Sequence, residues 1–115
     1  MTDQTFHVLV ADDEEGLRFV LGELLSHLGY QMTEAEDGEK ALEIIRSEKL
    51  DLAILDINMP KLNGLAVLEY IRNDGHLRRL PVIILTTSMD EEDRLESYDL
   101  GANAFIVKPE GKPLV

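Results

Sequence analysis

Leu52-Ala53-Ile54-Leu55-Asp56-Ile57-Asn58-Met59-Pro60 is the stretch that decides how this 115-residue chain is read. Four apolar residues without a polar interruption fit a strand buried on both faces, and the carboxylate of Asp56 closes the run. Asn58 and Pro60 then turn the chain. Working outward, β-rich runs recur at Phe6–Ala11, Gln31–Glu34, Val82–Thr86 and Ala104–Val107, so with Leu52–Asp56 five strands are expected. Three of them are nearly continuous apolar runs, as in a sheet covered on both sides.

The segments between these runs have helical period. Leu17, Val20, Leu21, Leu24, Leu25 and Leu28 recur at three- and four-residue steps and predict a first helix whose leucine stripe is core, closed by Gly29. A second helix is expected over Gly38–Lys49, capped by Asp37, with Ala41, Leu42 and Ile45 facing inward. A third carries Leu65, Leu68 and Ile71 and stops at Asp74-Gly75. A fourth follows the cap Asp90, holds Glu91, Glu92 and Asp93 where the helix dipole favours acids, and ends at Gly101. Strand and helix in alternation is the pattern of βαβ units, an α/β fold around a parallel sheet.

Composition narrows the function classes. With 44% apolar and 30% charged residues the chain suits one compact domain over residues 1–115. The absence of Cys removes disulfide frameworks, thiolate metal sites and cysteine nucleophiles, and fits a cytoplasmic setting. A net charge of −12 repels nucleic-acid phosphates and anionic lipid, so direct binding to nucleic acid or membrane is not expected. No apolar run approaches the ~20 residues of a membrane-spanning helix. His7, His27 and His76 are scattered without metal-ligand spacing.

In a parallel sheet the C-terminal ends of all strands share one edge. Asp12, Asp13 and Glu14 follow the first strand, Asp56 ends the third, Thr86-Thr87-Ser88 the fourth, and Lys108-Pro109 the fifth. These residues leave the strand order open; were it 2-1-3-4-5, the reversal would fall between Asp12-Asp13 and Asp56, where ligands bind such sheets. Three carboxylates packed together repel, so they take up protons or hold a cation. An all-oxygen donor set suits Mg²⁺, which keeps several waters and takes one or two carboxylates plus phosphate oxygens. Lys108 adds a positive charge and Thr86 a hydroxyl donor, so phosphoryl transfer is the chemistry these parts suit, with Asp56 an already ionised nucleophile. Singly, each has a plainer reading as a turn, a cap or a solvated side chain. Their joint placement at four strand ends carries the functional one.

On Asp12-Asp13, on Asp56-Ile57-Asn58-Met59-Pro60 with Gly64 eight residues after Asp56, on Thr86, on Phe105 and on Lys108-Pro109, the chain resembles the receiver domain of two-component response regulators, including the chemotaxis regulators. The resemblance runs from the first strand to Pro109. It implies a flavodoxin-like five-stranded parallel sheet of order 2-1-3-4-5 with helices on both faces. It implies that Asp56 takes a phosphoryl group from a histidine kinase or histidine phosphotransfer protein, in a domain that catalyses only its own phosphorylation and dephosphorylation. Asp13, Asp56 and the backbone carbonyl of Asn58 would contact Mg²⁺, with Mn²⁺ as a substitute, and Asp12 would act through water. Lys108 would pair with Asp56 before phosphorylation and with a phosphoryl oxygen after it. Thr86 would move toward that group and Phe105 turn inward, changing the surface near the fourth helix and fifth strand for an unidentified output partner. Outside the resemblance Phe105 reads as plain core, and it lacks the hydroxyl of the tyrosine many relatives carry. Asn58 and Ser88 occupy the positions that govern phosphate lifetime, Thr87 is bulkier than the residue common there, and Lys108–Pro109 is expected to be cis.

The chain departs from the family at its end. Pro109, Gly111 and Pro113 leave no room for the fifth helix that relatives carry, so that helix is expected to be missing or truncated. Apolar surface on the first helix and the strands would then be exposed, and the expectation is either a piece of a longer protein or a partner, a second copy included, over that face. Among competing functions, an aspartate-nucleophile phosphohydrolase of the haloacid-dehalogenase kind would carry a second Asp where Asn58 stands, and a cap domain. A flavin-binding protein would need a hydroxyl- and glycine-rich loop in place of Asp12-Asp13-Glu14-Glu15. A receiver that docks partners without being phosphorylated is opposed by the intact Asp56, Thr86 and Lys108.

Overall fold

The computed structural model describes residues 5–108. The order of elements is β1 (His7–Ala11), α1 (Glu15–His27), β2 (Gln31–Ala35), α2 (Gly38–Ser47), β3 (Leu52–Leu55), α3 (Gly64–Asn73), β4 (Val82–Thr86), α4 (Glu91–Asp99) and β5 (Ala104–Val107). All strand pairs are parallel and the sheet order is β2-β1-β3-β4-β5, as the resemblance implied. Right-handed crossovers then put α1 on one face and α2, α3 and α4 on the other.

Local chemistry sets the boundaries. Asp37, Asn63 and Asp90 cap α2, α3 and α4, accepting from the amides of Lys40, Ala66 and Glu92. Gly29 and Gly101 take positive φ after α1 and α4. Four bounds shift from expectation. The ladder begins at His7 rather than Phe6, β2 runs one residue further to Ala35, Asp56 lies just past β3, and α2 stops at Ser47 because Glu48 is already extended.

The α2–α3 face is closed. Leu9, Ala11, Ala53, Leu55, Val82 and Ile84 point to it and pack with Ala41, Ile44, Ile45, Val67, Leu68 and Ile71. The opposite face is closed only at β1, where Val8 and Val10 are fully covered. Ile54, Ile83 and Leu85 are half-buried there, and Ile106 is 47% exposed. Two expectations are corrected. The strands are not all buried on both faces, since β3 and β4 alternate between buried and half-buried residues. Nor is the first helix's leucine stripe core: no residue of α1 is buried, and Leu24 and Leu28 are 56% and 64% exposed. The helix leans on β1 and β2, with Gly22 close to Met32, and among the described residues nothing covers its far flank. The expected loss of the fifth helix, and the cis Lys108–Pro109 bond, involve residues 109–115, outside those described. No helix among the described residues is long and apolar enough to cross a membrane.

Candidate functional site

The C-terminal edge of the sheet gathers the residues singled out above. Asp12 is drawn in by its amide, which donates to the Ala35 carbonyl (3.0 Å), and its Oδ1 accepts from the Glu14 amide (2.8 Å). The Asp56 amide donates to the Ala11 carbonyl (2.9 Å), which extends the β1–β3 ladder and sets the two acids side by side. Asp12 and Asp56 are buried, Asp13 is exposed, and carboxylate oxygens of all three lie within 4.8 Å of one another. Lys108 is buried and comes from the end of β5, its amide donating to the Thr86 carbonyl (2.7 Å).

Lys108 pairs with Asp56, as the resemblance implied, but more loosely than with two other acids. Its Nζ donates to Asp12 Oδ2 and to Glu14 Oε1, each at 2.9 Å, and only at 3.5 Å to Asp56 Oδ2. The sequence places Glu14 at this edge but assigns it no role, because an acid in a run of four acids carries no signal of its own. Arg18 was missed. It donates through Nη1 to the Asp12 carbonyl (2.6 Å) and through Nε to Glu34 (2.7 Å), tying the β1–α1 loop to β2.

Burial raises the Asp56 carboxyl above its ordinary range, the neighbouring Asp12 carboxylate raises it further, and Lys108 pulls it back only in part. For Lys108 burial opposes the charge, yet bonds from Glu14 and Asp12 and the field of Asp56 outweigh it and raise its pKa above the ordinary lysine value. The lysine therefore stays protonated and the acids remain short of positive charge.

The loop after β3 is shaped by contact. A Cβ on Gly64 would run into the Asp56 carbonyl, so only glycine lets α3 start this close to the site. Gly38 meets the Leu62 carbonyl in the same way at the start of α2. Asn58 is exposed, and its amide reaches Asp56 Oδ1 at 3.4 Å. After β4, Thr86 is fully buried and its Oγ1 accepts from the Ser88 amide (3.2 Å), while the Ser88 hydroxyl donates to Asp93 Oδ2 (2.6 Å) in the first turn of α4. Phe105 is half-buried against the core. His7 lies at the opposite end of β1, bonded to Lys49 and Thr33, and takes no part.

The donor set tests what the cluster can hold. Three carboxylates with no nitrogen or sulfur among them suit a hard divalent cation such as Mg²⁺ or Mn²⁺. The edge thus brings together three carboxylates, an ammonium and a hydroxyl.

Known proteins resemble the chain in sequence and in fold. The profile of the family described as response regulator receiver domain matches residues 8–114. A probable transcriptional regulator, ycf27, of Guillardia theta is 44% identical over 102 residues, covering 89% of this chain and 39% of that protein. The chain spans well under half the length of the curated relatives of that name. Among solved structures, the phosphorylated cyanobacterial phytochrome response regulator RcpA superposes with a TM-score of 0.88 at 30% identity, covering 94% of this chain and 84% of that one. The Mn²⁺-bound form of response regulator Rcp1 gives 0.87 at 29% identity, covering 92% and 83%.

Proposed function

The chain belongs to the response regulator receiver domains of two-component systems, and from that premise we propose that Asp56 is its phosphoacceptor. The observation that carries this reading is the convergence of Asp12, Asp13, Asp56 and Lys108 at one sheet edge, with the Thr86 hydroxyl beside them. Asp56 Oδ attacks the phosphorus of a phosphohistidine on a kinase or phosphotransfer protein. The new O–P bond forms as the N–P bond breaks, and the imidazole nitrogen keeps the electron pair and takes a proton from solvent. No general base is needed, because the carboxylate is already ionised.

Asp13, Asp56 and the Asn58 carbonyl would hold Mg²⁺, with Asp12 acting through water, and the metal would supply charge neutralisation on the transferring phosphoryl group. A Mn²⁺-bound relative of the same fold supports a divalent ion here. Lys108 Nζ donates to a phosphoryl oxygen, and the Thr86 hydroxyl leaves the Ser88 amide to do the same. Ser88 is bonded to Asp93, so this move transmits to the first turn of α4. Phe105 turning inward beside it changes the α4–β5 surface offered to an output partner. Asn58 and Ser88 flank the path of attacking water and set how long the phosphoryl group lasts. The domain acts on no substrate but itself.

Intact-mass measurement after incubation with acetyl phosphate tests the assignment. A phosphoryl adduct that requires Mg²⁺ and is absent from Asp56→Asn is expected. An equal adduct in both proteins would defeat it, and would favour a receiver that docks partners without phosphorylation.

A further inference from the structure

Lys108 is the only cation among the described residues bonded to the acid cluster's side chains, and it is shared unequally among them. Two of its three hydrogen-bonding directions are filled at 2.9 Å by Asp12 and Glu14, and the longest contact, at 3.5 Å, is the one to the proposed phosphoacceptor. Asp12 is buried and bound to the loop through its Oδ1, so it is part of the cluster's fixed framework. Glu14 differs. Its side chain is 60% exposed, it stands outside the trio of carboxylates within 4.8 Å, and its one side-chain bond is to Lys108.

We propose, resting on the phosphoacceptor reading, that Glu14 is a positioning residue that latches Lys108 away from Asp56 and so holds back phosphorylation. A phosphoryl group on Asp56 calls on the ammonium, and drawing Lys108 in from its 3.5 Å contact works against its 2.9 Å bond to the Glu14 carboxylate. Glu14 therefore stabilises the unphosphorylated arrangement, and by linkage its removal favours the phosphorylated one. A half-exposed ion pair is worth little, so the effect is a modest brake rather than a block.

Three variants separate the latch from a general field effect. Glu14→Gln removes the charge, Glu14→Asp keeps the charge but is too short by one methylene to reach Nζ, and Glu15→Gln removes a neighbouring exposed charge that does not touch Lys108. With acetyl phosphate and Mg²⁺, phosphorylation is expected about threefold faster in both Glu14 variants and unchanged in Glu15→Gln. In the unphosphorylated, metal-free protein the ¹⁵N resonance of Lys108 Nζ is expected to shift in both Glu14 variants.

A fast Glu14→Gln beside a Glu14→Asp at the wild-type rate would mean a field effect and overturn the latch. So would an unshifted Lys108 resonance, or wild-type rates in both variants; in those cases the phosphoacceptor assignment stands if the wild type is labelled at Asp56. A wild type that takes no phosphoryl group overturns that assignment and the latch with it.

Discussion

The two faces of the sheet are built to different standards. On the α2–α3 side every strand from β1 to β4 presents a buried residue, and Val67, Leu68 and Ile71 of α3 are wholly removed from water. On the α1 side only β1 is sealed, α1 buries none of its residues, and Phe19, Leu24, Leu28 and Ile106 are open to solvent. Both α1 and α3 carry apolar residues at helical spacing. What differs is the neighbour: α3 has α2 at its side and the core residues of the sheet beneath it, whereas α1 has β1 and β2 beneath it and, among the described residues, no helix packed closely at its side. An apolar stripe is therefore evidence for a helix, and only its neighbours make it core.

This contrast breaks if matched truncations on the two faces cost the same. Leu68→Ala empties a fully buried position and is expected to destabilise by about 2–5 kcal/mol, whereas Leu24→Ala, from a side chain already in water, should change stability by about 0.5 kcal/mol or less. Chemical denaturation of the two variants with a common slope decides it. A comparable loss from Leu24→Ala would show that its flank is covered in solution.

Where the closed face meets the site, the contrast can be sharpened. α3 is held against the Asp56 carbonyl because residue 64 has no side chain, so Gly64→Ala must push the helix and the β3–α3 loop apart. We expect a loss of about 1–3 kcal/mol together with slower phosphorylation by acetyl phosphate, since the strain falls on the nucleophile's own peptide. Alanine at Gly75, where a Cβ would meet nothing, is the control and should be near neutral in both measurements. Equal behaviour of the two variants would remove the close approach as the reason for glycine at 64.

Much of this was legible before any coordinates. Five strands, four helices, two of them with their Asp caps, and the gathering of Asp12, Asp13, Asp56, Thr86 and Lys108 at one edge follow from short-range signals: apolar runs, Asp caps, and the direction common to parallel strands. Strand order came from family resemblance, because no local signal in the residues chooses 2-1-3-4-5. What the sequence could not supply depends on distance in space. Glu14 reaches Lys108 across 94 positions and Arg18 reaches Glu34 across 16, and neither acid stands out from the other charged residues around it. The leucines of α1 misled for the same reason, since periodicity reports which residues share a face and not whether anything lies opposite.

The smallest effect concerns the site as a liability that the closed face offsets. Burial and Asp12 raise the Asp56 carboxyl above its ordinary value of 3.8, so between that value and the folded one the native protein holds a proton that the unfolded chain has lost. Stability contributed by this group is thus greatest below about pH 4 and is lost as pH rises through the folded pKa. Asp56→Asn removes the titration while Lys108 keeps Asp12 and Glu14. The variant is expected to match the wild type at low pH and to become the more stable of the two as pH approaches neutrality. Urea unfolding of both proteins across this range, without divalent ions, reads the difference directly. A gap that does not widen with pH would mean that Asp56 carries no ionisation penalty. Addition of Mg²⁺ should then narrow the gap from the other side, because the wild type alone has the third carboxylate to bind it.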